Sequence, residues 1–592
     1  MANIMDLVNI KNNVHRSGFD LSRRNCFTAK VGEILPVFVD EVLPGDKWRI
    51  NMREFMRTAP VQTATFGRVR QYYDFYFVPM RLMWDKFPAW VMQNKQSYHA
   101  ASIHEPSSVL KNHPYFLRGD LVQMLSTLKG TNGPQYYYDT VNTNSKEASH
   151  PAYYGASKLL SYLGYPSSDT NLDNSLNVAL NPFPLLAYQK IYQDYFRNQN
   201  WEDPAPWTYN LDYIMDDKTT KIPISSSMIM GSKKQPSFLT LRYANYDKDY
   251  YNGLLPTPQF GDTAIAGPIS GTIELGDNGG DSTSTIYFDP SHATADSNAA
   301  MLYLKKNNTG SNNEITSDSG SQQLTARILG PYGHLDVKPD STMGLSILLL
   351  RQAEALQRWK EITISGSQDY KDQLQKHWNV KVSDDNSYLC KYLGGIANNL
   401  DVSEVINTNL DANTSQADIR GKGVSASNGN ISFESHEFGI IMCVYHVKPL
   451  LEWESTDLCP RLFTKTMATD YAIPEFDSIG MQSVLLGELE SSKKNAFEKI
   501  LGYASRYVEY KTSVDQAHGA FESSLKPWII PHKSQLTTID TLDFRSFKIS
   551  ADILDNMFGV AADTSVDTDQ FYCTAYFDTK VVRNLDRNGL PY

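Results

Sequence analysis

The stretch EVLPGDKWRINMREF, Glu41 to Phe55, and the run RVRQYYDFYFVP that follows it, Arg68 to Pro79, decide the fold. Pro44-Gly45-Asp46 is turn chemistry, with a fixed φ, a permissive residue and a short acceptor side chain in succession. VGEILPVFVDEV before it and KWRINMREF after it are rich in β-favouring residues, so they read as strands joined by a tight connection. In the third run Val69, Gln71, Tyr73, Phe75 and Phe77 alternate with Arg70, Tyr72, Asp74, Tyr76 and Val78. Both sets are heavy in aromatics, which predicts a strand covered on both faces. The same texture returns in FGIIMCVYHVKP (438–449) and QFYCTAYFDTKVV (570–582). Strands at both ends with long irregular material between them are the pattern of a β-barrel or sandwich carrying large insertions.

Two helices interrupt that material. In PFPLLAYQKIYQDYFRNQNWE (182–202), Leu185, Tyr188, Tyr192, Tyr195 and Phe196 form one apolar stripe over about 184–198, and Pro182 and Pro184 suit its start. In TMGLSILLLRQAEALQRWKEI (342–362), Leu345, Leu348, Leu349, Leu356 and Trp359 share a face, and Ser341 or Thr342 can cap it. From Gly261 to Thr325, 37 of 65 residues are Gly, Ser, Thr, Asn or Asp, and Gln259 to Asp340 carries 10 acids and 4 bases. Such a sequence buries little apolar area, so 261–340 reads as a polar surface insertion in which TIEL and STIYF form short hairpins. Residues 401–432 read as polar loop.

The 592 residues are 41% hydrophobic and 20% charged, with 35 Tyr, 9 Trp and a net charge of −11. A chain this aromatic and this weakly charged is not disordered as a whole, and a wholly electrostatic nucleic-acid binder would be basic. No run approaches the apolar length of a transmembrane helix, and the N-terminal stretch has no long apolar segment of the kind a secretory signal carries. Cys26, Cys390, Cys443, Cys459 and Cys573 form no C-x-x-C and read as reduced thiols of a protein made in a cytoplasm.

No catalytic residue, cofactor site or metal site is assigned. Phosphate-loop, dinucleotide, zincin and nucleophile-elbow signatures are absent. Ser491-x-x-Lys494 lacks the motifs that accompany it in serine β-lactamases, and His99, His104 and His113 lack convergent metal spacing. Three N-x-[ST] matches fall in Asn-rich loops. The basic residues concentrate at the ends: residues 1–70 hold 11 Lys/Arg against 7 Asp/Glu. Arg16, Arg23, Arg24, Arg49, Arg53, Arg57, Arg68 and Arg70 form one set, and Lys580, Arg583 and Arg587 the other. They suit either ion pairs at strand edges and subunit contacts, or phosphates with bases stacked on Tyr72, Tyr73 and Phe75.

The segments SGFDLS (17–22), FTAKVGEILPV (27–37), EVLPGDKWRIN (41–51), RTAPVQTATFGRVRQYYDFYFVPMRLMWDKF (57–87), PLLAYQKIYQDYFR (184–197), DKDYYNGLLPTPQFGD (247–262) and GYASRYVEYK (502–511) resemble the major capsid protein of the Microviridae, closest to its gokushovirus-like branches. The tail FDTKVVRNLDRNGLPY is closer to phages and prophages of Bacteroidetes hosts. The resemblance implies a mainly β fold, a single eight-stranded antiparallel jelly roll of viral capsid type with long loop insertions containing a few helices. It implies a structural protein, not an enzyme, that self-assembles into a T=1 icosahedral shell around circular single-stranded DNA. Implied partners are further copies of itself, the packaged DNA, an internal scaffolding protein during assembly and a DNA pilot protein, with no membrane insertion. The place implied is the virion, assembled in the bacterial host cytoplasm. The competing reading is a carbohydrate-binding or glycan-processing β-rich protein, motivated by the Tyr and Trp content.

On this reading residues 1–29 are an N-terminal arm and 30–87 the first strands. Residues 88–260 are a long insertion, 261–340 a surface insertion open to host attachment through a surface receptor, 341–429 helix and loop, and 430–592 the remaining strands and tail. The chain is acidic, so DNA contact must be local. The candidates are Arg16, Arg23 and Arg24 in the arm, then Lys580, Arg583 and Arg587 in the tail. Aromatics of the loops 88–182 and 200–260 are expected to be buried only on assembly.

Overall fold

The computed structural model describes residues 15–92 except 62–64, 113–129, 151–167, 178–215, 221–222, 236–261, short strands within 271–339, 347–406 except 366, 368 and 384–386, 419–454, most of 462–532, 542–558 in part, and 569–587. Two antiparallel sheets carry the fold. The first is built from β1 (Ser17–Asp20), β2 (Arg23–Ala29), β4 (Lys47–Thr58), β7 (Asp401–Ile406), β8 (Ile419–Glu434) and β12 (Phe571–Arg583). The second contains β3 (Leu35–Val42), β5 (Arg68–Pro79), β6 (Lys391–Asn399) and β9 (Gly439–Leu450). Their orders are β2-β12-β4-β8, with β1 also on β12 and β7 beyond β8, and β6-β5-β9-β3. Strands far apart in sequence are thus neighbours, and the chain passes repeatedly from one sheet to the other.

The turn at Pro44-Gly45-Asp46 shows how. It does not make a hairpin, because β3 and β4 belong to different sheets. Gly45 takes φ +85°, and a Cβ there would sit 2.6 Å from the Asn584 side chain. The buried Asp46 carboxylate accepts the Leu43 N–H at 3.0 Å and pairs with Arg583 at 2.9 Å, so the tail holds the turn shut.

Between the sheets lies an aromatic core. Phe38 of β3 meets Phe577 of β12 at 4.9 Å between centroids, Tyr445 of β9 meets Phe27 of β2 at 5.0 Å, and Phe77 of β5 meets Phe433 of β8 at 4.8 Å. β4 and β12 alternate buried and outward residues along their length, whereas β9 is buried almost throughout. The reason is position. β9 lies between β5 and β3, and its outer face is covered by the helix α3 (Phe183–Ile191) and the π-helical turn Tyr192–Phe196 that continues it. Tyr195 and Phe196 pack on Tyr76, and Tyr188 donates to the Ile34 carbonyl at 2.9 Å. β5 is therefore covered on both faces, as its aromatics predict. The helix is buried nearly all round, more than one stripe requires.

Two readings need correction. Residues 17–29 are strands paired with β12, not a free arm. Residues 401–406 and 419–434, expected to be loop, are strands, and 391–399 is a further strand. The Gly, Ser and Asn content of β8 hid it: its outward residues are small or polar, and Gly429 leaves the space that the Ile396 side chain fills.

The chain forms two units, 1–260 with 361–592, and 261–360. In the second, 271–276 pairs with 334–339, 286–288 with 326–328, and 302–306 with 313–317, all antiparallel. The pairs are nested, so TIEL and its neighbours lie in one folded-back ribbon and not in separate short hairpins. The second helix runs Ile347–Ile364, but Leu348, Leu356 and Trp359 are exposed. Its proposed caps Ser341 and Thr342 lie outside the described residues.

Candidate nucleic-acid interface

The first sheet differs from the second in having an outward face that is bare among the described residues. β4 turns Lys47, Arg49, Asn51, Arg53, Phe55 and Arg57 to that face because its inward set, Trp48, Ile50, Met52, Glu54, Met56 and Thr58, is buried. Strand pairing lines these residues up in rows. Arg57 sits beside Tyr572 and then Thr28; Arg53 is flanked by Asn428 and by Tyr576, and Tyr576 by Arg24; Arg49 is flanked by Ser432 and Lys580. Tyr572 and Tyr576 are 40% and 44% exposed. Successive arginines of β4, four residues apart, repeat every ~14 Å.

Three acids on this face are engaged. Glu434 pairs with Lys47 at 3.1 Å, and Asp20 and Asp578 both pair with Lys580. Hydrogen bonds from Lys580 and Ser22 hold the Asp20 carboxyl well below the usual range. Arg24 is bonded by Nε to the Thr574 hydroxyl at 2.9 Å. No ion pair to Arg24, Arg49, Arg53 or Arg57 is found among the described residues, so four exposed guanidiniums and two exposed phenol rings share one surface.

The other candidates are placed differently. Arg23 is tied to Asp40 at 2.8 Å and to the Val39 carbonyl, and lies over the Phe38 ring at 4.1 Å. Arg583 holds Asp46 and the Glu41 carbonyl and lies over Trp48. Lys580 is held by its two carboxylates, Arg16 bonds Asn584 at 2.8 Å, and Arg587 is exposed. Arg68 pairs with Glu452 and Asp515, and Arg70 bonds Asn399. The aromatics named for stacking are unavailable: Tyr73 and Phe75 are core, and Tyr72 stacks on His446 at 4.8 Å. The period-two spacing of Lys47, Arg49, Arg53 and Arg57 was the available signal for the face; Tyr572 and Tyr576 become its neighbours only through strand pairing.

No group of side chains that could hold a metal ion occurs among the described residues. His113 packs against Trp90 and Phe183, while His99, His104 and Ser491 lie outside the described residues. Cys26, Cys390, Cys443 and Cys573 are free thiols, and Cys459 lies outside the described residues. No helix among the described residues is long and apolar enough to cross a membrane.

The family described as "Capsid protein (F protein)" matches residues 8–130 and 148–591. The chain belongs to this phage capsid protein family. The capsid protein VP1 of Chlamydia phage 1 is 23% identical over 98% of this chain and 96% of the relative. The capsid protein VP1 of Bdellovibrio phage phiMH2K is 24% identical over 97% and 95%. Both are proteins of Microviridae, as the segment resemblance implies. This capsid protein is therefore a structural protein of a virion, not an enzyme, and membership implies self-assembly into a shell.

Proposed function

We propose that this protein is the major capsid subunit of a T=1 shell around circular single-stranded DNA. Its two facing sheets, β2-β12-β4-β8 and β6-β5-β9-β3, are the halves of an eight-stranded jelly roll. The observation that carries the DNA reading is the row Arg53, Tyr576, Arg24 on the bare sheet face, continued by Arg57 with Tyr572 and by Arg49. Guanidiniums bind phosphate, and a ring between them stacks any base, which suits a surface that must accept a whole genome without reading it. Arg24 alone of the six end-cluster candidates belongs to this row; Arg16 and Arg587 would serve as flanking contacts. An internal scaffolding protein and a DNA pilot protein are the proposed assembly partners, and the insertion 261–340 the proposed contact with a host receptor. Cytoplasmic assembly is supported by the free thiols.

The test replaces Arg24, Arg49, Arg53 and Arg57 together by Ala and measures oligonucleotide binding against salt. Each phosphate contact contributes a slope of roughly 0.7 on single strands, so the fourfold variant should lose a slope of about 3 and package less DNA. An unchanged slope and normal DNA content would assign these arginines to subunit contacts.

A further inference from the structure

The described surface of the segment 462–511 carries large apolar side chains that the fold leaves uncovered. Leu462 is 72% exposed, Met467 63%, Tyr471 59% and Tyr510 52%, and Ile479, Phe497 and Ile500 are close to half exposed. These are not loose loop residues. The Lys465 ammonium lies over both the Tyr471 and Tyr510 rings, at 4.8 and 4.3 Å. The Asp470 carboxylate accepts the Thr466 and Met467 N–H groups at 2.9 Å each, and Tyr507 donates to the Thr469 carbonyl at 2.9 Å. Phe463 packs edge-on against Phe497. Beneath them the hairpin of β10 (Met481–Leu485) and β11 (Ile500–Ser505) rests on a second core of Tyr250, Tyr251, Leu254, Trp453, Val484 and Leu501. The patch is thus held in shape before anything binds it.

We propose that this patch is a contact surface for a second copy of the chain in the shell; the inference rests on the shell reading and deepens it. Three observations select that occupant. The segment holds six basic and seven acidic residues, so it offers nothing to a nucleic acid. Its mixture of Met, Tyr and Phe with ion-pairing groups in the same segment, such as Lys511 with Asp477, is the composition of a protein interface. Seven side chains burying about 100 Å² each come to about 700 Å², close to the ~800 Å² per partner of a standard stable interface. A closed shell requires each copy to carry such a surface, and the capsid family implies such a shell. The aromatics of 88–182 and 200–260, expected to be buried only on assembly, are in large part buried already within the single chain among the described residues, as Phe116, Phe238, Tyr243, Tyr246, Tyr250 and Tyr251 show, because those segments pack into the two cores.

The test compares particle formation by the full chain with its Leu462→Asp/Tyr471→Asp variant, each expressed with the other phage proteins and sedimented. Wild type should give shells, and the variant a slowly sedimenting protein with an unaltered melting curve. A variant that forms shells in wild-type amount overturns the contact. Wild type that forms no shell of any kind overturns the shell reading and the contact with it. Should the variant fail to fold, shells assembled from equal parts isotopically light and heavy wild type decide: a mixed-isotope cross-link from Lys465 supports the contact, and a Lys465 cross-link only to a different protein overturns it.

Discussion

Buried histidines set one pH limit of the molecule. His532 stacks on Trp453 at 3.8 Å in the second core, and burial lowers its pKa from 6.5 to about 3. The unfolded chain takes up a proton near pH 6.5 that the folded ring refuses until about pH 3, so stability falls as pH drops through that window. His446, buried under Tyr72 and Phe196, is lowered in the same direction by burial. His532→Gln should flatten the stability–pH curve between about pH 3 and 6.5, by at most ~1.4 kcal/mol per pH unit. Urea midpoints across that range check it, and parallel curves for variant and wild type would refute it. In the sandwich core, Phe577→Ala opens a cavity between Phe38 and Phe75 and should cost about 3–5 kcal/mol, read from the same midpoints.

At the scale of elements, insertions are locked to the sheets by buried charge. Lys158 of α2 (Pro151–Leu163) reaches Glu33 at 2.7 Å and Asp569 at 2.9 Å, tying one long insertion to the residues that lead into β3 of one sheet and β12 of the other. Behind α3, Glu202 lies 3.5 Å from Lys548 and 3.9 Å from Arg242 and accepts the Tyr192 hydroxyl at 2.7 Å, all essentially without solvent. Two cations converge on one buried carboxylate there, so removing its charge takes from Lys548 and Arg242 the anion they share. Glu202→Gln should therefore destabilise by about 3–5 kcal/mol despite its similar shape. The companion variant Lys47→Ala, which breaks an exposed pair with Glu434, should cost under ~1 kcal/mol. Denaturant unfolding of the two variants side by side tests the contrast.

On the scale of the whole molecule, the nested ribbon brings Gly271 opposite Pro339, so its two chain ends emerge side by side. Replacing 271–339 by a short Gly-Ser linker should leave the melting of the larger unit and particle formation unchanged, as sedimentation would show; loss of particles would make the ribbon a structural part of the shell. Local pattern alone determined a good deal here. β-favouring residues on either side of Pro44-Gly45-Asp46 marked β3 and β4, alternation in 68–79 marked β5, the Leu185/Tyr188/Tyr192 spacing marked α3, and the polar run after Gly261 marked a stretch with little to bury, because each is a property of neighbouring residues. What crosses the chain was not legible. That β3 and β4 part into different sheets follows from their pairing with strands far along the chain, β3 with β9 and β4 with β8 and β12. β8 was hidden because a strand with one bare face needs no outward hydrophobics. The row Arg53, Tyr576, Arg24 exists only through register, and Arg23 and Arg583 are drawn into ion pairs by partners that sequence does not place beside them. Side-chain period is written in the chain; which strands become neighbours is decided by burying one common core, and the candidate interface is a product of that burial.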